Sequence, residues 1–276
     1  MLIVAFLLGE AAAFDKSTRS AETVLPSAPT DVAAPPPSAQ RTASGLAMRI
    51  VATGNGKTHV GRNDCVRVRY VAWNRKGELA GRSSNGDEGE LECLHRVSPG
   101  IAEALAPMLV GETRRLWIPA DLAFPTDPGD DDPPPARKTD LTYDLTLLAI
   151  IAAPPTPKTL KAPPPRARKL PSGVAIEVLH KGTGSAHPTE TQQLTMHITG
   201  WTADGTLFQS TAMADHPADF TLAALTPGLR EGVTQMVVGE RARIWVPAAL
   251  AYGEKPRRRG QPAGNLVVDV QLIALH

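Results

Sequence analysis

Aromatic side chains are scarce in this chain: Phe, Trp and Tyr together make up 4% of 276 residues. Cysteine is scarcer, with only Cys65 and Cys93. Two thiols exclude a disulfide-dense scaffold, and no Cys-x-x-Cys or Cys/His spacing suggests a zinc site. They make one bridge or none; a disulfide and a pair of inert core cysteines both stay open. An excess of charge is also missing, since 29 Lys and Arg stand against 28 Asp and Glu. That balance removes the global basic field expected of a nucleic-acid binder. Long apolar runs are absent too. Met1 to Leu8 is the most obvious one and is far too short for a transmembrane helix. Followed by Ala11 and Ala13, it reads as the apolar part of an export signal, although the first basic residue is Lys16. The expected location is periplasmic or secreted; without export it is cytoplasmic.

Proline is plentiful, at 26 residues. Much of it falls in two stretches without apolar periodicity, 14–43 and 152–169, each containing Pro-Pro-Pro. The first reads as a disordered Ala/Pro-rich spacer after a signal segment at 1–13. The second reads as an extended linker able to hold two domains apart.

Around these stretches the chain repeats itself. Ser44-Gly45-Leu46 matches Ser172-Gly173-Val174, His59 matches His187, Trp73 matches Trp201, Pro99 matches Pro227 and Trp117 matches Trp245. The offset is 128 residues (187 − 59) and holds across all of these pairs. Such constant register indicates two copies of one domain, at 44–151 and 170–276. Within each copy, Cys65–Val71 and Gln193–Ile198 alternate as half-buried strands. Asn74–Gly77 and Thr202–Gly205 are turns. A short helix begins at Thr226-Pro227, with Ser98-Pro99 in the first copy. Gly239 and Gly111 are the expected helix stops. Leu141–Leu148 and Leu266–Leu272 are closing strands. The expected class is α+β, a curved antiparallel sheet wrapped on one short helix, twice over.

Several motifs occur in a telling order: Thr199-Gly200-Trp201, Gly205-Thr206-Leu207-Phe208, Pro227-Gly228 with Glu231-Gly232, Met236–Glu240, Val246-Pro247, Leu250-Ala251-Tyr252-Gly253 and Leu266–Val270. In this respect the chain resembles the FKBP family of peptidyl-prolyl cis-trans isomerases. The likeness is close over 170–276 and looser over 44–151. It implies isomerisation of X-Pro bonds in polypeptide clients without metal or cofactor. The barrier, about 20 kcal/mol, comes from amide resonance. An apolar pocket that desolvates the bond, with a few fixed donors, lowers it.

The resemblance also implies the site. Phe208 and Tyr252 are the retained walls and the residues expected to carry catalysis. Leu225 and Thr226 fall at the rim, where the Thr226 amide meets a substrate carbonyl. Leu229 replaces the family's floor tryptophan, Ile198 its early tyrosine, Gln209 its acid, and Val268 its last-strand aromatic. Ala218 stands at another aromatic wall position. In the first copy Tyr70, Ile101, Phe124 and Tyr143 take the corresponding places, while Ala80-Gly81 replaces the Phe-acid pair. The second copy is therefore the expected isomerase, and the first a companion domain. The competing expectation is a non-catalytic chaperone or scaffold that uses the fold for binding alone. Trp117 and Trp245 read as structural, and His59 and His187 as surface residues. Asp130–Asp132 and Arg257–Arg259 give the two rim loops opposite charge.

Overall fold

The computed structural model describes residues 26–84, 86–124, 139–214, 216–255 and 261–276. The expected signal segment, the first part of the spacer and both charged triplets lie outside the described residues.

The first half builds β1 (Gln40–Arg41), β2 (Ala47–Ala52), β3 (Cys65–Asn74), β4 (Leu79–Arg82) and β5 (Glu90–Cys93). Then come helix α1 (Pro99–Leu105), β6 (Thr113–Ile118), a single helical turn α2 (Ala120–Ala123) and β7 (Leu141–Ile151). The seven strands form one antiparallel sheet in the order β1-β2-β6-β7-β3-β4, with β5 also on β3. The second half repeats this with β8 (Arg168–Lys169), β9 (Ala175–His180), β10 (Gln193–Thr202), β11 (Leu207–Ser210), β12 (Ala218–Thr221), α3 (Pro227–Val233), β13 (Arg241–Val246) and β14 (Leu266–Leu275). Its order, β8-β9-β13-β14-β10-β11 with β12 on β10, is the same topology.

Alternation along the strands sends one set of side chains under the helix. Leu194, Met196, Ile198, Ile244, Val268 and Val270 meet Val233 and Met236 in the second core. Glycines let the helix lie close. A Cβ on Gly228 would fall 2.5 Å from Val246, and one on Gly232 2.7 Å from Ile244. The helix ends earlier than the sequence suggests. It stops at Val233, and Gly239, at φ +84°, instead turns the chain into β13. Gly111, at φ +86°, does the same before β6. Thr226 and Ser98 occupy the N-cap positions, but neither hydroxyl makes a capping bond.

The outer face of each sheet is also covered, which differs from the expectation for the proline-rich stretches. Where described, they are packed straps. The Trp117 indole donates to the Asp31 carbonyl at 2.8 Å, and Thr142 donates to the Val32 carbonyl at 2.8 Å. In the second half, Trp245 donates to the Thr159 carbonyl at 2.7 Å, while Leu160 and Ala167 are buried. The straps obey the same 128-residue offset: Pro26 and Pro154, Asp31 and Thr159, Pro35–Pro37 and Pro163–Pro165. They end in β1 and β8, which add to the sheet edge. The repeated unit thus reaches back to residues 26 and 154. A buried indole N–H needs an acceptor, and a strap free of regular structure has carbonyls to spare. Beside each strap, Arg115 clasps Asp144 at 2.7 and 2.8 Å, and Arg243 clasps Asp269 at 2.6 and 2.9 Å.

The second strap lets the halves pack together instead of holding them apart. Cys65 and Cys93 are opposite one another on β3 and β5 and form a disulfide. With Ile151 and Ala153 they join Leu160, Trp201, Leu207 and Met213 in one apolar cluster. Asn63 closes this interface. Its Nδ2 donates to the Gly205 carbonyl at 2.9 Å, and its Oδ1 accepts from the Leu207 amide at 3.0 Å.

Candidate active site

Residues Ile198 and Gly200 of β10 share a face with Val270 and Val268 of β14, opposite them in register. On β11, Gln209 lies opposite Gly200 and Leu207 opposite Trp201, so Phe208 is the extra residue of a β-bulge. The bulge aims the Phe208 ring back over β10. A Cβ on Gly200 would fall 2.3 Å from the ring, so only glycine lets it lie there. The first domain keeps the bulge but has Ala72 and Ala80 at these positions. Where the ring is gone, a methyl replaces the glycine hydrogen. Gly200 therefore goes with Phe208 in the candidate site, and the Gly200/Ala72 difference between the two copies is the sequence signal that marks it.

Around this point the expected second-domain residues converge on one core. Ile198, Leu225 and Val268 are buried within it, while Phe208 and Leu229 pack on it half-exposed, with Leu250 and Ala251 beside them. Leu225 is thus covered, although the expectation sets it beside an exposed rim. Ala218, opposite Met196, also packs here. Gln209 is half-buried on β11. The Thr226 carbonyl accepts the Arg230 amide at 2.9 Å, but the Thr226 amide donates to no acceptor among the described residues. Tyr252, 38% exposed, follows the single 3₁₀ turn Ala248–Leu250. Its hydroxyl also has no hydrogen-bond partner among the described residues, and partial burial raises its pKa. The result is an apolar patch with two uncommitted donors beside it.

The first domain arranges the same positions differently. Tyr70 and Tyr143 lie on one face of β3 and β7, with ring centroids 5.7 Å apart and planes tilted by 45°. Both pack on the first core together with Ile101. Phe124 is half-buried at the end of α2. Glu90, absent from the expected site, occupies the position equivalent to Ala218. The pKa of Tyr70 is raised by burial first and by the neighbouring Glu90 and Glu92 carboxylates next. Tyr143 is pushed up to about 12, chiefly by burial. Burial and the neighbouring Glu90 also raise the Glu92 carboxyl. Two carboxylates thus lie close to the tyrosines here, where the second domain has Ala218.

His59 is exposed, and His187, also exposed, donates through Nδ1 to the Met236 carbonyl at 3.0 Å. Among the described residues no group of three or more His, Cys, Asp or Glu is placed to hold a metal ion. No helix among them is long and apolar enough to cross a membrane.

A family model for FKBP-type peptidyl-prolyl cis-trans isomerases matches residues 56–148 and again 184–273. The outer membrane protein MIP of Legionella longbeachae is 38% identical over 109 residues, 38% of this chain and 46% of that protein. Peptidyl-prolyl cis-trans isomerase FKBP9 of Rattus norvegicus is 31% identical over 183 residues, 64% of this chain and 28% of that protein. The chain therefore spans less than half the length of these relatives. Among solved structures, the three FKBP domains of wheat FKBP73 match 85% of this chain and 96% of their own, at 23% identity and a TM-score of 0.36.

Proposed function

Because the chain belongs to the FKBP-type peptidyl-prolyl cis-trans isomerase family, we propose that it isomerises X-Pro bonds in polypeptide clients and that the second domain carries the activity. The observation that carries this reading is the pairing of an apolar patch with two uncommitted donors, the Thr226 amide and the Tyr252 hydroxyl. Leu229, Ile198, Val268 and the Phe208 ring receive the proline ring and exclude water from the amide. A desolvated amide loses the hydration of its charge-separated resonance form, which lowers the rotational barrier. The two donors hold the carbonyls in register while the bond twists. Nothing in this scheme is protonated, attacked or reduced, so it takes no metal or cofactor.

The first domain, in this reading, binds or orients clients without catalysis, since Ala80 stands where the second domain has Phe208 and the Glu90 and Glu92 carboxylates lie close to its tyrosines. A disulfide suits an oxidising, exported compartment, and one relative is named an outer membrane protein. A second reading, a non-catalytic chaperone, is favoured by Leu229, Ala218 and Val268, which replace three aromatic walls.

Proline-isomerisation kinetics on the full chain decide between them. A rate above background, reduced about 3–10-fold in Tyr252→Phe, is expected from the loss of one hydrogen bond of about 1 kcal/mol. A folded protein with no rate above background would leave only the chaperone reading.

A further inference from the structure

The 128-residue offset sets Arg114 of β6 against Ala242 of β13. Arg114 is buried, and its guanidinium is fully engaged. Nε donates to Glu112 Oε1 at 2.5 Å, Nη2 to the Pro107 carbonyl at 3.0 Å and Nη1 to the Met48 sulfur at 3.1 Å. The equivalent residues of the second domain are Glu240, Gln235 and Ile176. All three line a cavity of about 340 Å³ that is open to solvent beside β9. Alanine in place of arginine thus leaves room for a guanidinium while its walls stay in place.

The acceptors at these positions are unfilled. Glu240 is half-buried and makes no ion pair among the described residues. The Gln235 carbonyl accepts no hydrogen bond among them either. Burial raises the Glu240 carboxyl, while the Val237 amide, His187 and Arg168 act the other way. Two arginines border the cavity, but both are engaged elsewhere. Arg166 pairs with Glu177, and the exposed Arg168 donates to Gln235 Oε1 at 3.1 Å. A carboxylate and a carbonyl, set where the first domain holds Nε and Nη2, match a planar forked donor better than a point charge. The cavity also borders a strand edge. β8 pairs only with Ala175 and Ile176 of β9. Val178, which lines the cavity and is 48% exposed, has β13 on one side and no strand on the other among the described residues. An extended chain can pair at such an edge and turn a side chain inward.

We propose that this cavity receives the arginine side chain of an extended polypeptide segment, with Glu240 and the Gln235 carbonyl as its acceptors. The first domain fills the same place with its own Arg114 and is closed to such a ligand. The inference does not rest on the isomerase reading, because no residue of the proline site lines this cavity.

The test titrates the isotope-labelled full chain with the acetylated, amidated pentapeptide Ala-Val-Arg-Val-Ala. A second titration uses its citrulline analogue, which keeps the shape and loses the charge. The arginine peptide is expected to shift the Val178 and Glu240 amide resonances. It should bind about 5-fold more tightly than the citrulline peptide, the effect of one charge-assisted pair near the surface. Glu240→Gln should remove that preference. Ala242→Arg, which copies the first domain, should abolish binding by filling the cavity from within. The first domain shows that this fold accommodates an arginine there, so the second variant keeps the test sound if Glu240→Gln fails to fold. Equal affinity for the two peptides, a preference that survives either substitution, shifts confined to other residues, or no binding of the arginine peptide overturns the site.

Discussion

Replacing Asn63 with alanine tests whether the two domains form one body. Asn63 is 9% exposed and makes both interdomain backbone bonds, to the Gly205 carbonyl and from the Leu207 amide. Truncation removes two hydrogen bonds and leaves a carbonyl and an amide facing vacated space. Each unsatisfied buried group costs about 1–3 kcal/mol, and a water entering the gap moves the total toward the lower end. The expected loss is therefore about 2–4 kcal/mol of interface stability. Hydrogen exchange of the Leu207 amide reads it directly. At RT of about 0.59 kcal/mol, that loss accelerates exchange by a factor of roughly 30 or more if local opening governs it. Urea unfolding followed through Trp201, which lies in the interdomain cluster, gives the equilibrium counterpart. Asn63→Asp sharpens the test, since it keeps an acceptor for Leu207 but sets a carboxylate against the Gly205 carbonyl. Its loss should equal or exceed that of the alanine variant. A change below about 0.5 kcal/mol with unaltered Leu207 exchange would refute the clamp, because surface substitutions away from such features usually fall within that range.

Two further outcomes are expected. The disulfide closes a loop of 28 residues, so its reduction should lower stability by about 3–4 kcal/mol on the loop-entropy model and disturb Trp201 across the interface; an unchanged urea midpoint under reductant contradicts this. His95 has a folded pKa of about 4 against an ordinary 6.5, so between these values the unfolded chain binds more protons and stability falls as the pH drops. Burial-raised Glu92 and Glu240 act in the opposite direction, and for that reason the comparison is with His95→Gln, which should lose less stability than wild type between pH 7.5 and pH 4.5. Equal losses in both proteins would contradict the assignment.

Much of the architecture was legible because its signals are local. Strand alternation in Gln193–Ile198 and the proline at the first helical position operate within a few residues. The 128-residue offset needed only the chain compared with itself. Helix ends were less legible: Gly239 is a left-handed turn position, but sequence does not say whether it caps a helix or enters a strand. The family resemblance named candidate site positions one by one, and the structure brings the second-domain ones Ile198, Phe208, Leu225, Leu229 and Val268 onto one core. How deeply each residue lies was not legible, since Leu225 is buried in the core.

The amino-acid sequence by itself determined that this protein is a tandem repeat and that Ala80 and Phe124 stand in the first copy where the second has Phe208 and Tyr252. Only the tertiary structure decided that the proline-rich stretches are straps, that Cys65 faces Cys93, and that His95 lines a cavity beside Phe208. The physical reason is common to all three. A strap is held by indole donors that bond its backbone carbonyls, which leave no side-chain pattern. Cysteine pairing and interdomain cavities depend on which distant strands become neighbours, and periodicity within a strand carries no record of that.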